Sequence, residues 1–148
     1  MKRYMVDTNI FSQIAEGKLQ VEMLPKDSSL YVTYIQWQEI MATNSIDKRD
    51  MILEKYNIIS PVMLPTGSFL AGISSAGTAG AGAGQLQMKV LKLLNSKKTR
   101  KNNSNVHDSL IGEAAIIHKM ILITNDDDLR DVIAQLGGMC ERMEMILS

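Results

Sequence analysis

The chain has 148 residues, 45% hydrophobic and 22% charged, with a formal net charge of zero, which is typical of one ordinary globular domain spanning residues 1–148. The single cysteine, Cys140, excludes an intramolecular disulfide and a cysteine-based zinc site. The first residues do not resemble a signal peptide, and no apolar run approaches the ~20 residues that cross a bilayer. We therefore expect a cytoplasmic protein that does not enter a membrane.

The first predicted element is a short buried strand over residues 4–6, which stops at Asp7. Its continuous apolar sequence favours a parallel strand covered on both faces. Thr8 or Asn9 is then expected to cap a helix that runs from residue 10 to about residue 16. Asp7 is therefore expected at the end of a strand and just before a helix.

The second strand is predicted over residues 30–33 and is followed directly by a helix. Thr33 and Gln36 have the spacing of a capping box, so the helix should begin here and carry Glu39 within its first two turns. A further helix and a short edge strand are expected over residues 47–56 and 58–64.

Residues 72–84 form a stretch of low complexity that is rich in glycine and alanine. The stretch does not end in Gly-Lys-Ser or Gly-Lys-Thr, and it lacks the Gly-x-Gly-x-x-Gly spacing, so a nucleotide-binding loop is disfavoured. We expect a flexible insert or loop within the domain.

The rest of the chain alternates helices and strands, which indicates an α/β domain with a mostly parallel sheet. Helices are predicted over residues 85–94, 106–117 and 126–136, and strands over residues 120–124 and 139–147.

Ligands of such sheets bind at the carboxyl ends of the strands. Asp7 and Asp126 each follow a strand and become neighbours if those strands pair, and Glu39 and Asp108 lie near the same edge. Four converging carboxylates would repel one another without a cation, and their oxygens suit Mg²⁺ or Mn²⁺.

The net charge of zero conceals an uneven distribution of charge. Residues 55–107 contain no Asp or Glu and seven Lys or Arg, so this segment carries about +7 and the remainder about −7. A basic segment beside an acidic cluster suits an enzyme that acts on a polyanion, although solvated charge runs are also common. The candidate phosphate-binding residues are Lys97, Lys98, Arg100 and Lys101.

Four acidic motifs, in the same order along the chain, resemble those of the PIN-domain family of metal-dependent ribonucleases. Among its members, the motifs are most similar to those of the toxin-type, VapC-like proteins. The motifs are Val6-Asp7-Thr8-Asn9, Gln38-Glu39-Ile40, Asp108-Ser109-Leu110-Ile111 and Leu122-Ile123-Thr124-Asn125-Asp126. The resemblance covers almost the whole chain. It implies a three-layer α/β/α domain around a central, mostly parallel sheet of about five strands.

The resemblance also implies roles for individual residues. Asp7, Glu39, Asp108 and Asp126 would be the catalytic residues around one or two Mg²⁺ or Mn²⁺ ions, with Asp7 and Asp126 as direct ligands. Asp108 would bind the metal directly or through water, and Glu39 would orient the attacking water. The expected supporting residues are Asn9, Thr124 and Asp128. Asp128 could also be a metal ligand or cap its helix, and a cap or supporting role is favoured over a ligand role.

An active endoribonuclease and an inactive PIN-like binding or scaffold module both remain open from the sequence. The resemblance favours RNA over DNA as substrate, and it implies a homodimer and, for a toxin, an antitoxin protein as partner. A phosphatase of the haloacid dehalogenase type is disfavoured, because that family needs an Asp two residues after its nucleophile and here Asn9 holds that place.

Overall fold

The computed structural model describes residues 2–26, 28–66, 85–97 and 104–147. Its strands are β1 (Lys2–Val6), β2 (Ser28–Thr33), β3 (Val62–Leu64), β4 (Ile121–Ile123) and β5 (Met139–Glu141). Its α-helices are α1 (Thr8–Ala15), α2 (Tyr34–Met41), α3 (Ile46–Ile59), α4 (Gln85–Asn95), α5 (Asn105–Ile117) and α6 (Asp127–Gln135). Two short 3-10 helices cover Val21–Met23 and Met143–Met145. The expected Gly/Ala insert at residues 72–84 lies outside the described residues.

The five strands form one sheet in the order β3-β2-β1-β4-β5, and every neighbouring pair is parallel. The pairing of β1 with β4 aligns Val6 with Ile123. This confirms that the strands preceding Asp7 and Thr124 are neighbours. Because parallel strands end at the same edge, the segments that follow β1 and β4 leave the sheet side by side.

The core is divided by the sheet into two layers, as alternate side chains of a strand point to opposite faces. In β1, Tyr4 and Val6 pack with α1 and α3, whereas Met5 packs with α4, α5 and α6. The α/β class with a parallel sheet, predicted from the alternation of elements, and the three α/β/α layers implied by the resemblance are therefore confirmed. None of the helices in the described part of the chain is long and apolar enough to cross a membrane.

The helix starts explain how the site is positioned. The capping box predicted at Thr33 and Gln36 is present, since the Gln36 side chain accepts the Thr33 backbone N–H at 2.9 Å. The same Gln36 donates from Nε2 to the carbonyl of Val6 at 3.1 Å. One buried side chain thus joins the start of α2 to the end of β1.

The expected cap of α1 was wrong. Neither Thr8 nor Asn9 caps the helix; Asp7 does, and α1 begins at Thr8. The Asp7 carboxylate accepts the Thr8 backbone N–H at 2.7 Å, and a carboxylate at this position also interacts favourably with the helix dipole.

Candidate functional site

The carboxyl edge of β1 and β4 holds a continuous set of hydrogen bonds around Asp7. The Asp7 backbone N–H donates to the carbonyl of Ile123 at 3.0 Å, which extends the pairing of the two strands by one residue. Just after β4, the Thr124 hydroxyl donates to Asp7 Oδ2 at 2.8 Å. Asp7 and Thr124 are both buried. A buried carboxylate held at both oxygens is fixed in one orientation, which is what a preorganised site requires.

Asp126 is joined to Asp7 through Thr124. The Asp126 backbone N–H donates to the Thr124 hydroxyl oxygen at 3.1 Å, and the Asp126 carboxylate accepts the Leu129 backbone N–H at 3.2 Å. Asp126 is thus the N-cap of α6. The alternative cap role for Asp128 was wrong, since Asp128 lies in the first turn of that helix.

Glu39 reaches the same edge from α2 by way of a threonine. The Thr8 hydroxyl donates to Glu39 Oε1 at 2.7 Å, while the Thr8 backbone N–H donates to Asp7. Thr8 therefore links the two carboxylates. The sequence-based assignment gave the supporting role to Asn9, which is instead exposed in the first turn of α1. The position of Thr8, directly after Asp7, was the signal that could have identified it.

The environment of Glu39 disfavours a negative charge. Burial raises the pKa of Glu39 to about 7, and the neighbouring Asp7 carboxylate also raises it, while the hydrogen bond from Thr8 lowers it. The side chain is 26% exposed, so water reaches part of the carboxylate. A bound cation would relieve the repulsion between the two carboxylates and favour the charged form of Glu39.

Asp108 lies on α5, which packs against α2 and β2, and its place beside the other carboxylates stays a prediction. It is buried in the first turn of that helix, directly after His107. His107 lies beside Glu39, with Nδ1 4.0 Å from Oε2. Sequence reasoning did not link His107 to the acids, because only the packing of α5 on α2 brings them together.

The predicted phosphate-binding residues are only partly described. Lys98, Arg100 and Lys101 lie outside the described residues. Lys97 forms an ion pair with Asp131 of α6, and this hydrogen bond raises the pKa of the lysine. A role for Lys97 in binding phosphate stays a prediction.

Whether a metal fits depends on the donor set. Among residues 2–26, 28–66, 85–97 and 104–147, no group of three or more His, Cys, Asp and Glu side chains is arranged to hold a metal ion. Mg²⁺, however, is usually bound by one or two carboxylates together with water and substrate phosphates, rather than by a closed protein cage. The oxygen donors of Asp7 and Glu39 fit that mode chemically, and the metal site stays a prediction.

The described architecture corresponds to a VapC-like PIN-domain fold, with three α/β/α layers around a parallel five-stranded sheet. A chain in the structure of VapBC2 from Rickettsia felis, bound to a DNA fragment from their promoter, superposes with a TM-score of 0.53 and 16% identity. This alignment covers 95% of this chain and 98% of that chain.

A chain in the structure of VapBC-1 from nontypeable Haemophilus influenzae superposes with a TM-score of 0.55 and 19% identity, covering 95% of this chain and 97% of that chain. No protein-family model matches the sequence, and no curated protein matches it. Because both identities are low, these similarities establish the fold alone.

Proposed function

We propose that this protein is a divalent-metal-dependent endoribonuclease that hydrolyses phosphodiester bonds of RNA. The observation that carries the proposal is the pair of carboxylates, Asp7 and Glu39, held together by Thr8 at the carboxyl edge of a PIN-like sheet. Ligands of open parallel sheets bind at this edge. The raised pKa of Glu39 supports a site that becomes favourable when a cation is bound.

In this proposal Asp7 and Asp126 would hold Mg²⁺ or Mn²⁺, and Asp108 would hold it directly or through water. When bound, the ion would lower the pKa of a water and offset charge that develops on the phosphodiester. Glu39 orients that water, since one of its oxygens already accepts a hydrogen bond from Thr8. Thr124 keeps Asp7 in its orientation through the bond to Oδ2. No side-chain nucleophile is required.

We further propose that the protein is the toxin of a toxin–antitoxin pair and that it acts in the cytoplasm as a homodimer bound by an antitoxin. Two of the similar solved structures are of VapBC proteins from two bacteria, which supports a protein partner for this fold. Expression of the chain alone should slow growth, and coexpression of its antitoxin should restore it. Growth unaffected by an active, soluble chain would contradict the toxin role.

The test of the enzymatic proposal is an RNA-cleavage assay with Mg²⁺ or Mn²⁺, comparing wild type with Asp7→Asn and Asp126→Asn. Each substitution removes a charge and keeps the shape of the side chain. Asp50→Asn is a matched control, because Asp50 lies on α3 with a side chain 62% exposed. We expect the first two variants to lose at least about 100-fold in rate and the control to retain activity. Activity that survives both substitutions would refute the site.

The alternative is a PIN-like nucleic-acid-binding or scaffold module without catalytic activity. This alternative is favoured by the donor set, because no group of three or more His, Cys, Asp and Glu side chains among the described residues is arranged around a metal ion. Calorimetric titration with Mn²⁺ distinguishes the two functions. Absence of Mn²⁺ binding together with retained binding of RNA would favour the module.

A further inference from the structure

His107 lies beside the Glu39 oxygen that Thr8 does not contact. Thr8 donates to Glu39 Oε1, whereas His107 Nδ1 lies 4.0 Å from Oε2. That distance is longer than a hydrogen bond, but such contacts are often long in ligand-free sites and shorten when substrate binds. Glu39 therefore has a potential donor at each oxygen.

The partner at Nδ1 determines what the other end of the ring can do. A histidine is mostly neutral at neutral pH, with one N–H and one acceptor nitrogen. A carboxylate at Nδ1 selects the tautomer that carries its proton on Nδ1. Nε2 is then a hydrogen-bond acceptor.

The side chain of His107 is partly exposed. The side chain is 34% exposed, and its ring makes no hydrogen bond to any residue in the described part of the chain. The other histidine, His118, follows the C-terminal end of α5, and its ring does have a partner. Its Nε2 lies 3.4 Å from the backbone carbonyl of Pro65. His107 is therefore the histidine available to a ligand at the carboxyl edge.

We infer that His107 recognises ribose: Glu39 holds its Nδ1–H, and its Nε2 accepts a hydrogen bond from a 2′-hydroxyl of the substrate. This inference rests on the proposed nuclease function and names the group that makes the site selective for RNA. The 2′-hydroxyl is the donor that RNA has and DNA lacks, so an acceptor beside the reacting phosphodiester gives discrimination without reading the bases. A single neutral hydrogen bond corresponds to roughly tenfold in rate.

The experiment compares cleavage of an RNA, its 2′-deoxy analogue and its 2′-O-methyl analogue, all of one sequence, in the presence of Mn²⁺. We expect wild type to cleave RNA at least about tenfold faster than either analogue, which cannot donate from the 2′ position. His107→Leu should slow cleavage of RNA by about tenfold and leave the analogues unchanged, so that discrimination is lost. His107→Gln should retain discrimination in part, because its amide can both donate and accept.

Two controls separate this inference from its alternatives. His118→Leu is the same chemical change at the other end of the same helix and should leave all three rates unchanged. Mn²⁺ affinity measured by calorimetry should be equal in wild type and His107→Leu, which tests that the metal site is intact. Equal slowing of RNA and both analogues by His107→Leu would overturn ribose recognition while leaving the nuclease function in place. A wild type that cleaves none of the three substrates would overturn the nuclease function itself.

Discussion

Replacing Glu39 with glutamine should stabilise the metal-free protein at alkaline pH. In the folded state the pKa of Glu39 is raised from its ordinary 4.5 to about 7, mainly by burial and then by Asp7. This difference corresponds to about 3 kcal/mol by which ionisation of Glu39 opposes folding, an upper value because the side chain is 26% exposed. The amide of the Glu39→Gln variant would keep the hydrogen bond from Thr8 without the charge.

The pH dependence has a defined sign. Below about pH 4.5 the side chain is protonated in both the folded and the unfolded state, so its ionisation costs nothing. Between about pH 4.5 and 7 the unfolded state releases the proton first, and the stability of wild type relative to Glu39→Gln falls. Above pH 7 the full difference of about 3 kcal/mol is present.

The assay is urea unfolding of both proteins in EDTA at about pH 4.5 and about pH 8.5, with the midpoint and slope recorded for each. We expect nearly equal stability at the lower pH and an advantage of roughly 2–3 kcal/mol for Glu39→Gln at the higher pH. Saturating Mn²⁺ should reduce this advantage. A ligand stabilises the folded state that it binds, and wild type, which keeps the Glu39 carboxylate, should gain more from Mn²⁺ than Glu39→Gln does. A variant that is less stable than wild type at the higher pH without metal would refute the reasoning.

The remaining predictions concern the residues that support the site and the core. Thr124→Val removes the donor to Asp7 and should weaken Mn²⁺ binding by about 10- to 100-fold in calorimetry, whereas Thr124→Ser should bind normally. Gln36→Leu leaves buried backbone groups without partners and should cost about 2–3 kcal/mol in urea unfolding; a loss below ~0.5 kcal/mol would contradict the bridge between β1 and α2. Gly112→Ala places a Cβ 2.6 Å from Ile133 Cδ1 and should cost about 1–3 kcal/mol in the same assay, because Ile133 is fully buried and its side chain has little room to turn away.

The arrangement of strands and helices could be predicted from sequence because its signals are local. The apolar run before Asp7 and the capping box at Thr33 and Gln36 each depend on neighbouring residues, and each is found in the structure. The proximity of Asp7 and Asp126 was predicted on the condition that the preceding strands pair, and β1 and β4 do pair. These features follow from backbone geometry and from the rule that parallel strands end together.

The residues that support the site were harder to predict, because tertiary packing determines which side chains contact the carboxylates. Thr8 and Asn9 are both polar and adjacent, and only the turn of α1 decides that Thr8 reaches Glu39. His107 is brought to Glu39 by the packing of α5 on α2, which has no local sequence signal. A cap was predicted at Thr8 or Asn9 because short polar side chains usually fill that position, yet Asp7 is both cap and candidate ligand.

The central claim, that Asp7 binds a divalent metal at the carboxyl edge beside Glu39, is tested most directly by diffraction. Crystals of the protein soaked in Mn²⁺ should give an anomalous peak about 2.0–2.6 Å from a carboxylate oxygen of Asp7 and close to Glu39. The same peak should be absent in Asp7→Asn. A well-ordered Asp7–Thr8–Glu39 group with no peak at millimolar Mn²⁺ would contradict the account.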